Sequence, residues 1–296
     1  MKILIRKLID KLFYLNAWTV GYRKIEDGIT ELPTTDNKAK YELIPLTDFK
    51  YYADPFIIED NDDIYLFAES MNRFRGIASI SVSKYVDGKF GSFQEIIKEP
   101  FHMSYPNVFK YNDEYYMIPE TSDSGQVRLY KSSSFPYVWE LSSVLLDNGN
   151  CYTDNSIEIV NNKVYLYTYF ENDTIQLTEI YLLDMNSCSV FPINDYKCVV
   201  NERPAGNPCT IRNKSYRPVQ DCEDCYGRAI KLYELNKNGE ESYHSVINED
   251  CYDIDIKRIT GTHTFNRSEH FEVVDFKYNR FCLFKRVIWL VHFFRR

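Results

Sequence analysis

Four stretches of this chain align on one another: ADPFIIEDNDDIYLFAE (53–69), SYPNVFKYNDEYYMIPE (104–120), TDNSIEIVNNKVYLYTY (153–169) and AGNPCTIRNKSYRPVQ (205–220). Each has a small or polar start, an apolar run, a polar turn and a second run rich in aromatic residues. Fifteen residues separate Asp54 from Glu69, Tyr105 from Glu120, Asp154 from Tyr169 and Ala205 from Gln220, and successive starts lie 51, 49 and 51 residues apart. A looser fifth unit begins near Thr262-His263-Thr264. The runs are built of strand-forming residues, and Asn-Asp, Asp-Gly and Asn-Gly pairs mark the turns. A mostly-strand repeat of about 50 residues is the mark of a β-propeller with four strands per blade. The expected fold is all-β: a five-bladed propeller over 17–280, its ring closed by a strand drawn from ahead of Asp54. A β-sandwich with accidental spacing is the competing arrangement.

The chain has 296 residues, 44% of them apolar and 26% charged, with a net charge of −8. That composition excludes a disordered chain and a multi-span membrane protein. The negative charge argues against nucleic acid as the main partner, since phosphate binding needs a basic face. All eight cysteines lie beyond residue 150. In the opening MKILIRKLIDKLFYL, charged residues such as Arg6, Lys7 and Asp10 interrupt the apolar run that a signal peptide needs. The expected location is therefore the cytoplasm, with reduced thiols. Leu4, Ile5, Leu8, Ile9, Leu12 and Leu15 recur at helical spacing in 1–16, and 281–296 (FCLFKRVIWLVHFFRR) is a basic, aromatic tail. Neither is a clean run of the roughly 20 apolar residues a bilayer span requires. Both are expected as short amphipathic helical segments that either lie on the anionic inner face of a membrane or pack on the body.

In a propeller the innermost strands line a central channel, and their starts converge on one mouth. Asp54, Ser104, Tyr105, Asp154, Arg203 and His263 are expected there, joined by Glu69, Glu120 and Gln220 from the ends of second strands. A polar funnel with aromatic walls suits sugar hydroxyls and pyranose faces. Glycoside chemistry needs one carboxylic acid to protonate the leaving oxygen and a second carboxylate to activate water or attack. Asp54, Asp154, Glu120 and Glu69 are the catalytic candidates. Arg203, Arg217, Gln220, Asp221, His263 and Tyr105 are candidates for binding substrate. Arginines beside carboxylates suit a sugar phosphate, nucleotide sugar or acidic glycan; their alternative use is in structural pairs with Asp221 or Glu120. His263 is either an acid or base near neutral pH or a hydrogen-bonded core residue. Cys222 and Cys225 have metal-type spacing without a second Cys or His pair, so no metal is expected. Ser104 lacks triad partners, no Gly-rich phosphate loop is present, and no cofactor is expected. The pairs Tyr51-Tyr52 and Tyr115-Tyr116 read as cross-strand packing.

Several longer runs have a family look: YADPFIIE (52–59), YLFAE (65–69), MSYPNVF (103–109), YYMIPETS (115–122), FPYVWEL (135–141), RPAGNP (203–208), YRPVQDC (216–222), YGRAI (226–230) and GTHTFN (261–266). From about Ala17-Trp18 to Asp275 the chain resembles the propeller domain at the N-terminus of plant glucosamine inositolphosphorylceramide transferases and its stand-alone bacterial relatives. That domain is similar in fold to arabinanase, levansucrase and invertase propellers. The resemblance to arabinanase-type hydrolases implies that Asp54 matches their general base and Asp154 the aspartate that tunes the acid. Their general acid is a Glu opening blade four, where this chain reads Arg203-Pro204-Ala205-Gly206-Asn207-Pro208. Glu202 adjoins the motif, but one residue along a strand turns the side chain to the other face. Two functions follow. One is an enzyme of cell-surface glycan assembly, a glycosyl transferase or hydrolase-like protein with Asp54 as base or nucleophile and Glu120 or Glu69 as acid. The other is a non-catalytic module that binds a glycan or sugar phosphate for a partner glycosyltransferase.

Overall fold

A computed structural model of the protein describes residues 12–26, 30–45, 49–172, 174–193, 201–236, 240–285, 287, 288 and 290. Five antiparallel sheets follow the repeat. Blade 1 runs outward through Lys50–Asp60, Asp63–Asn72 and Ala78–Val86 to the short Lys89–Phe90 and Gln94–Ile97. Blade 2 holds Ser104–Tyr111, Glu114–Glu120, Val127–Ser134 and Val138–Leu146. Blade 3 holds Tyr152–Val160, Lys163–Glu171, Gln176–Asp184 and Ser189–Pro192, and blade 4 Cys209–Ile211, Lys214–Asp221, Ala229–Leu235 and Glu241–Ile247.

Blade 5 is assembled from both ends of the chain. Phe265–Arg267 pairs with Phe271–Phe281, which pairs in turn with Tyr14–Lys24 in an unbroken antiparallel register from Tyr14↔Phe281 to Lys24↔Phe271. Glu42–Leu43 completes the outer side. The closing strand therefore comes from ahead of Asp54, as expected. Its start at Tyr14 cuts into the segment read as a helix over 1–16, because the backbone of Tyr14–Asn16 is taken up by cross-strand pairs with Asn279–Phe281. The rest of that amphipathic segment, residues 1–11, lies outside the described residues, as do 286, 289 and 291–296 of the C-terminal tail.

The hairpins between first and second strands follow from local chemistry. Asn112-Asp113, Asn161-Asn162 and Arg212-Asn213 all have positive φ, the conformation of a type I′ turn, which Asn and Asp tolerate best. The core lies in four slabs between neighbouring blades: Phe56, Phe67, Val82 and Met117 between blades 1 and 2, Ile118, Leu129, Ile157 and Leu166 between blades 2 and 3. Ile230, Leu232, Val274 and Phe276 fill the space between blades 4 and 5, and Val20, Leu66, Ala68 and Val273 that between blades 5 and 1. Burying one such side chain contributes about 1.5–3 kcal/mol, so each blade is held by its neighbours rather than by itself.

The innermost ring is tied by side-chain amides. Asn266 Nδ2 donates to Pro55 O (2.8 Å), and Asn207 N donates to Asn266 Oδ1 (2.8 Å). Asn107 Nδ2 reaches both Asn207 Oδ1 (2.7 Å) and Asn155 O (2.8 Å). Gly206 sits inside this ring at φ 133°, where a Cβ would lie 1.9 Å from Phe265 O. Any side chain there must move a backbone that four blades share. Gly206→Ala is expected to destabilise the protein by about 2–4 kcal/mol, read as a lower denaturant midpoint with an unchanged slope.

Candidate functional site

The repeat places a residue of unusual conformation at the same point of three blades. Asp54 (φ 50°), Tyr105 (φ 46°) and Asp154 (φ 48°) are all left-handed, and a register shift falls beside each, between the pairs of Ala53 and Phe56, of Ser104 and Asn107, and of Thr153 and Ser156. A left-handed non-glycine residue costs of order 1–3 kcal/mol, and a bulge re-aims the side chain next to it. Here it turns Asp54 and Asp154 into the centre of the ring, where they are 4% and 2% exposed. Tyr105 is fully buried; its hydroxyl bonds Ser156 Oγ (2.8 Å) and accepts from Gly206 N (2.5 Å). It therefore floors the funnel rather than lining it for substrate.

Asp54 sits against blade 5. Its Oδ1 accepts from Thr264 Oγ1 (2.8 Å) and lies 3.6 Å from His263 Nε2, while its Oδ2 accepts from Tyr105 N (3.3 Å). His263 Nδ1 donates to Asp275 Oδ2 at 2.5 Å. Asp275 also accepts from the backbone N–H groups of Asp54 (3.1 Å), His263 (2.9 Å) and Thr264 (3.0 Å). The line Asp275–His263–Asp54 holds the imidazole in one orientation, as a carboxylate does for a catalytic histidine. These three side chains offer ligand atoms within 4.8 Å of one another, tight enough for a cation. The Asp275 oxygens, however, are already committed to N–H donors, which suits proton handling better than metal binding.

Asp154 is held from the other side. Arg203 Nε donates to its Oδ2, Gln220 Nε2 donates to the same oxygen (2.6 Å), and Arg203 Nη2 bridges to Glu120 Oε2 (3.3 Å). Glu120 Oε2 in turn accepts from Asp154 N (3.1 Å), and Ser122 Oγ donates to Glu120 Oε1 (2.9 Å). Glu69, three residues before its strand ends at Asn72, has His102 Nε2 3.6 Å away. Over the top, Trp18 stacks on His263 (centroids 4.0 Å, 16°), and Tyr226 meets His263 edge-on (5.2 Å, 86°). The Arg203 guanidinium lies over the Tyr226 ring at 5.4 Å.

Burial dominates the acid–base behaviour. It pushes the Asp54 carboxyl up to about 6, with His263 pulling it down and Asp154 and Asp275 adding to the rise. Burial also lifts Asp154 to about 7, against the opposing charge of Arg203 and with the neighbouring Glu120. Glu69 is held well above the usual carboxylate range by burial and then by Asp54, Glu120, Asp275 and Asp154. For His263 burial favours the neutral ring, but the charges of Asp275 and Asp54 outweigh it and raise its pKa.

A cavity of about 410 Å³ opens beside this cluster, between blades 3 and 4. Arg203, Gln220 and Tyr226 form its wall towards the carboxylates, and Tyr169, Glu202 and Lys231 its far side. Glu202 pairs with Lys231 Nζ (3.1 Å), so it lines the cavity without joining Asp54 and Asp154.

The structure thus brings Asp54, Asp154, Glu69, Glu120, Arg203, Gln220 and His263 together. It places three binding candidates elsewhere, the buried Tyr105 being the first. Arg217 is directed at Glu241 on the outer strand of its own blade, with both side chains buried, because it lies on the opposite strand face from Gln220. Asp221 pairs with Arg228 and lies 4.0 Å from Lys231 Nζ, so its charge is spent beside the funnel, not in it. Three participants escaped the sequence. Trp18 arrives from the N-terminal strand, Tyr226 from the loop after Cys225, and Asp275 from a second strand that follows His263 by 12 residues rather than by the 15 of the other repeats. The run YGRAI did hold a signal: Gly227 has φ 67°, and a Cβ on it would come within 2.5 Å of Trp18.

Among the solved structures that share this architecture are glycoside hydrolases. A GH43 endo-arabinanase from Bacillus licheniformis superposes with a TM-score of 0.51 at 17% identity, over 75% of this chain and 86% of its own. An α-L-arabinofuranosidase from Podospora anserina in complex with cellotriose does so at 0.56 and 10%, over 89% and 98%. At these identities the likeness is one of fold. Sequence relatives are plant proteins. "Glucosamine inositolphosphorylceramide transferase 1" of Oryza sativa subsp. indica is 30% identical over 207 residues, and its counterpart in Arabidopsis thaliana 27% over 235. Those matches take in 66% and 75% of this chain but only 28% and 30% of the plant proteins, so the chain spans less than a third of their length. The family described as "Glucosamine inositolphosphorylceramide transferase 1, N-terminal" matches residues 46–283. With its four aligned repeats and the carboxylates of the funnel inside that span, the chain belongs to this family of five-bladed propellers.

Proposed function

We propose that this propeller acts on a carbohydrate in the assembly of a cell-surface glycan or glycolipid, by glycosyl transfer or hydrolase-like chemistry in the central funnel. One observation carries the reading: Asp54, Glu69 and Asp154 are buried together at the centre of the ring, where burial raises all three carboxyls above the usual range while Asp54 faces His263 and Asp154 faces Arg203. Glu69, neutral and with few partners, is the proton donor to the leaving oxygen. Asp54, titrating at about 6 and poised against His263, is the base or nucleophile. Asp154 and Glu120, both tied to Arg203, hold the sugar hydroxyls and the developing charge. The sugar enters through the cavity beside Arg203 and Gln220, with the half-exposed Tyr226 ring as its platform. Because Arg203 already faces two carboxylates, the pocket favours neutral hydroxyls over a phosphate. The relatives' names point to a sugar transferred to a glycolipid.

The second reading, a non-catalytic module that presents a glycan to a partner glycosyltransferase, is favoured by the Arg203 that stands where related hydrolases carry their acid. The experiment that separates the two is thermal-shift binding, followed by turnover, against nucleotide sugars, sugar phosphates and neutral oligosaccharides. Consumption of a stabilising ligand by the wild type, lost in Asp54→Asn by about 10²-fold or more, is the expected result. A ligand that stabilises both proteins and survives intact overturns the enzyme.

Turnover is expected to rise with pH through about 6 as Asp54 ionises. Stability runs the other way. A carboxyl whose folded pKa is raised, and a histidine whose folded pKa is raised, both favour the protonated native state, so stability falls as pH rises past those values. Asp54→Asn removes one such charge and is expected to raise stability at pH 8 by about 1–2 kcal/mol relative to pH 5, read as a flatter dependence of Tm on pH. Arg203→Ala leaves Asp154 without its cation. It is expected to cost about 2–4 kcal/mol in a denaturant titration and to weaken binding of neutral and acidic sugars alike.

A further inference from the structure

Blade 5 is taller than the other four. Asp275 stands level with Glu69 and Glu120, yet its strand continues six residues further, to Phe281, while those of blades 1, 2 and 4 end at Asn72, Glu120 and Asp221. At 3.3 Å per residue the paired strand ends at Tyr14 and Phe281 reach roughly 20 Å beyond the carboxylates, on the side where the funnel opens.

Its tip is apolar and exposed. Phe281, Leu283, Phe284, Val287 and Leu290 are 54%, 67%, 51%, 49% and 44% exposed, and Phe49, at 45%, joins them from the start of blade 1. Phe49 links Phe74 (5.3 Å) and Phe284 (6.3 Å) into one surface, and Phe13 stacks on Phe281 (5.8 Å). Cations border it: Arg258 lies over the Tyr14 ring at 4.0 Å, and Lys285 Nζ donates to Tyr14 O (2.6 Å).

Charge decides what covers this surface. Residues 1–15 carry a net +3 and 280–296 a net +5 with no acidic residue, whereas everything between carries −16. An anionic surface repels a body of that charge and attracts the two basic ends of the chain, of which the described part is this tip. No helix of the described residues is long and apolar enough to cross a membrane.

We propose that the tip of blade 5 docks on an anionic lipid bilayer and holds the funnel mouth towards it. The sugar that enters the funnel is then one carried by a lipid. This last step rests on the proposed function; the docking does not.

The test is sedimentation of the full chain with vesicles of phosphatidylcholine alone and of phosphatidylcholine with about 30% phosphatidylserine, a mixture that mimics an anionic leaflet. Binding is expected to the anionic vesicles only, and to be lost near 1 M salt, where the Debye length is about 3 Å. Leu283→Ser with Phe284→Ser is expected to weaken partition roughly tenfold or more at unchanged Tm, since each loses the burial of a large side chain. Val138→Ser with Leu141→Ser, which alters equally exposed residues on the outer strand of blade 2, is expected to leave it unchanged. Asp54→Asn is expected to bind vesicles as the wild type does, so a failed turnover assay leaves the docking result standing. Failure to pellet with anionic vesicles overturns the proposal. So does equal loss in both double variants, or a dimer seen by light scattering that the Leu283/Phe284 variant abolishes in a protein that ignores vesicles.

Discussion

Asp275 is completely buried, and its two oxygens are surrounded by N–H groups from two blades: the backbone of Asp54 on one side and the backbone and ring of His263 on the other. It is also the residue that pairs with Val20 in the strand that closes the ring. One side chain therefore joins three tasks. It seals the seam between the first and last blades, it fixes the imidazole, and it sets the backbone whose side chain is the candidate base. A buried acceptor is stable only if its donors are present, so site and closure stand or fall together. Trp18, on the closing strand itself, extends the dependence by covering His263.

The opposite half of the funnel obeys a different rule. There Arg203 neutralises Asp154 and Glu120, and Gln220 adds a neutral donor. The two halves differ in their partners: Asp54 faces the imidazole of His263, whereas Asp154 and Glu120 face the fixed cation of Arg203. Burial is the largest cause lifting the carboxyls; neighbouring carboxylates add to the rise, and His263 and Arg203 oppose it.

Such a cluster is a cost to the fold. Left-handed backbone at Asp54, Tyr105 and Asp154 stores strain, and buried carboxylates repel one another. The interblade slabs and the amide ring of Asn107, Asn207 and Asn266 supply the compensating stability. Where the fold has a choice it avoids strain, as at Gly206, whose missing Cβ lets the inner strands of blades 4 and 5 touch.

The sequence by itself determined the architecture, because a repeat of strands, turns and aromatic residues at a fixed period leaves few ways to bury every apolar face. Because positions recur with the period, it also marked Asp54, Asp154, Arg203 and His263 near the starts of inner segments and Glu69 and Glu120 towards the ends of second strands. Arg217 and Asp221 were misassigned because strand alternation, visible only once register is known, points Arg217 at Glu241 and places Asp221 against Arg228. Only the tertiary structure decided what closes the site. Trp18 and Asp275 lie more than 250 residues apart in the chain and meet because the first strand pairs with the last. Protonation was likewise undetermined by sequence, because it depends on burial and on the distances among carboxylates that no local pattern encodes.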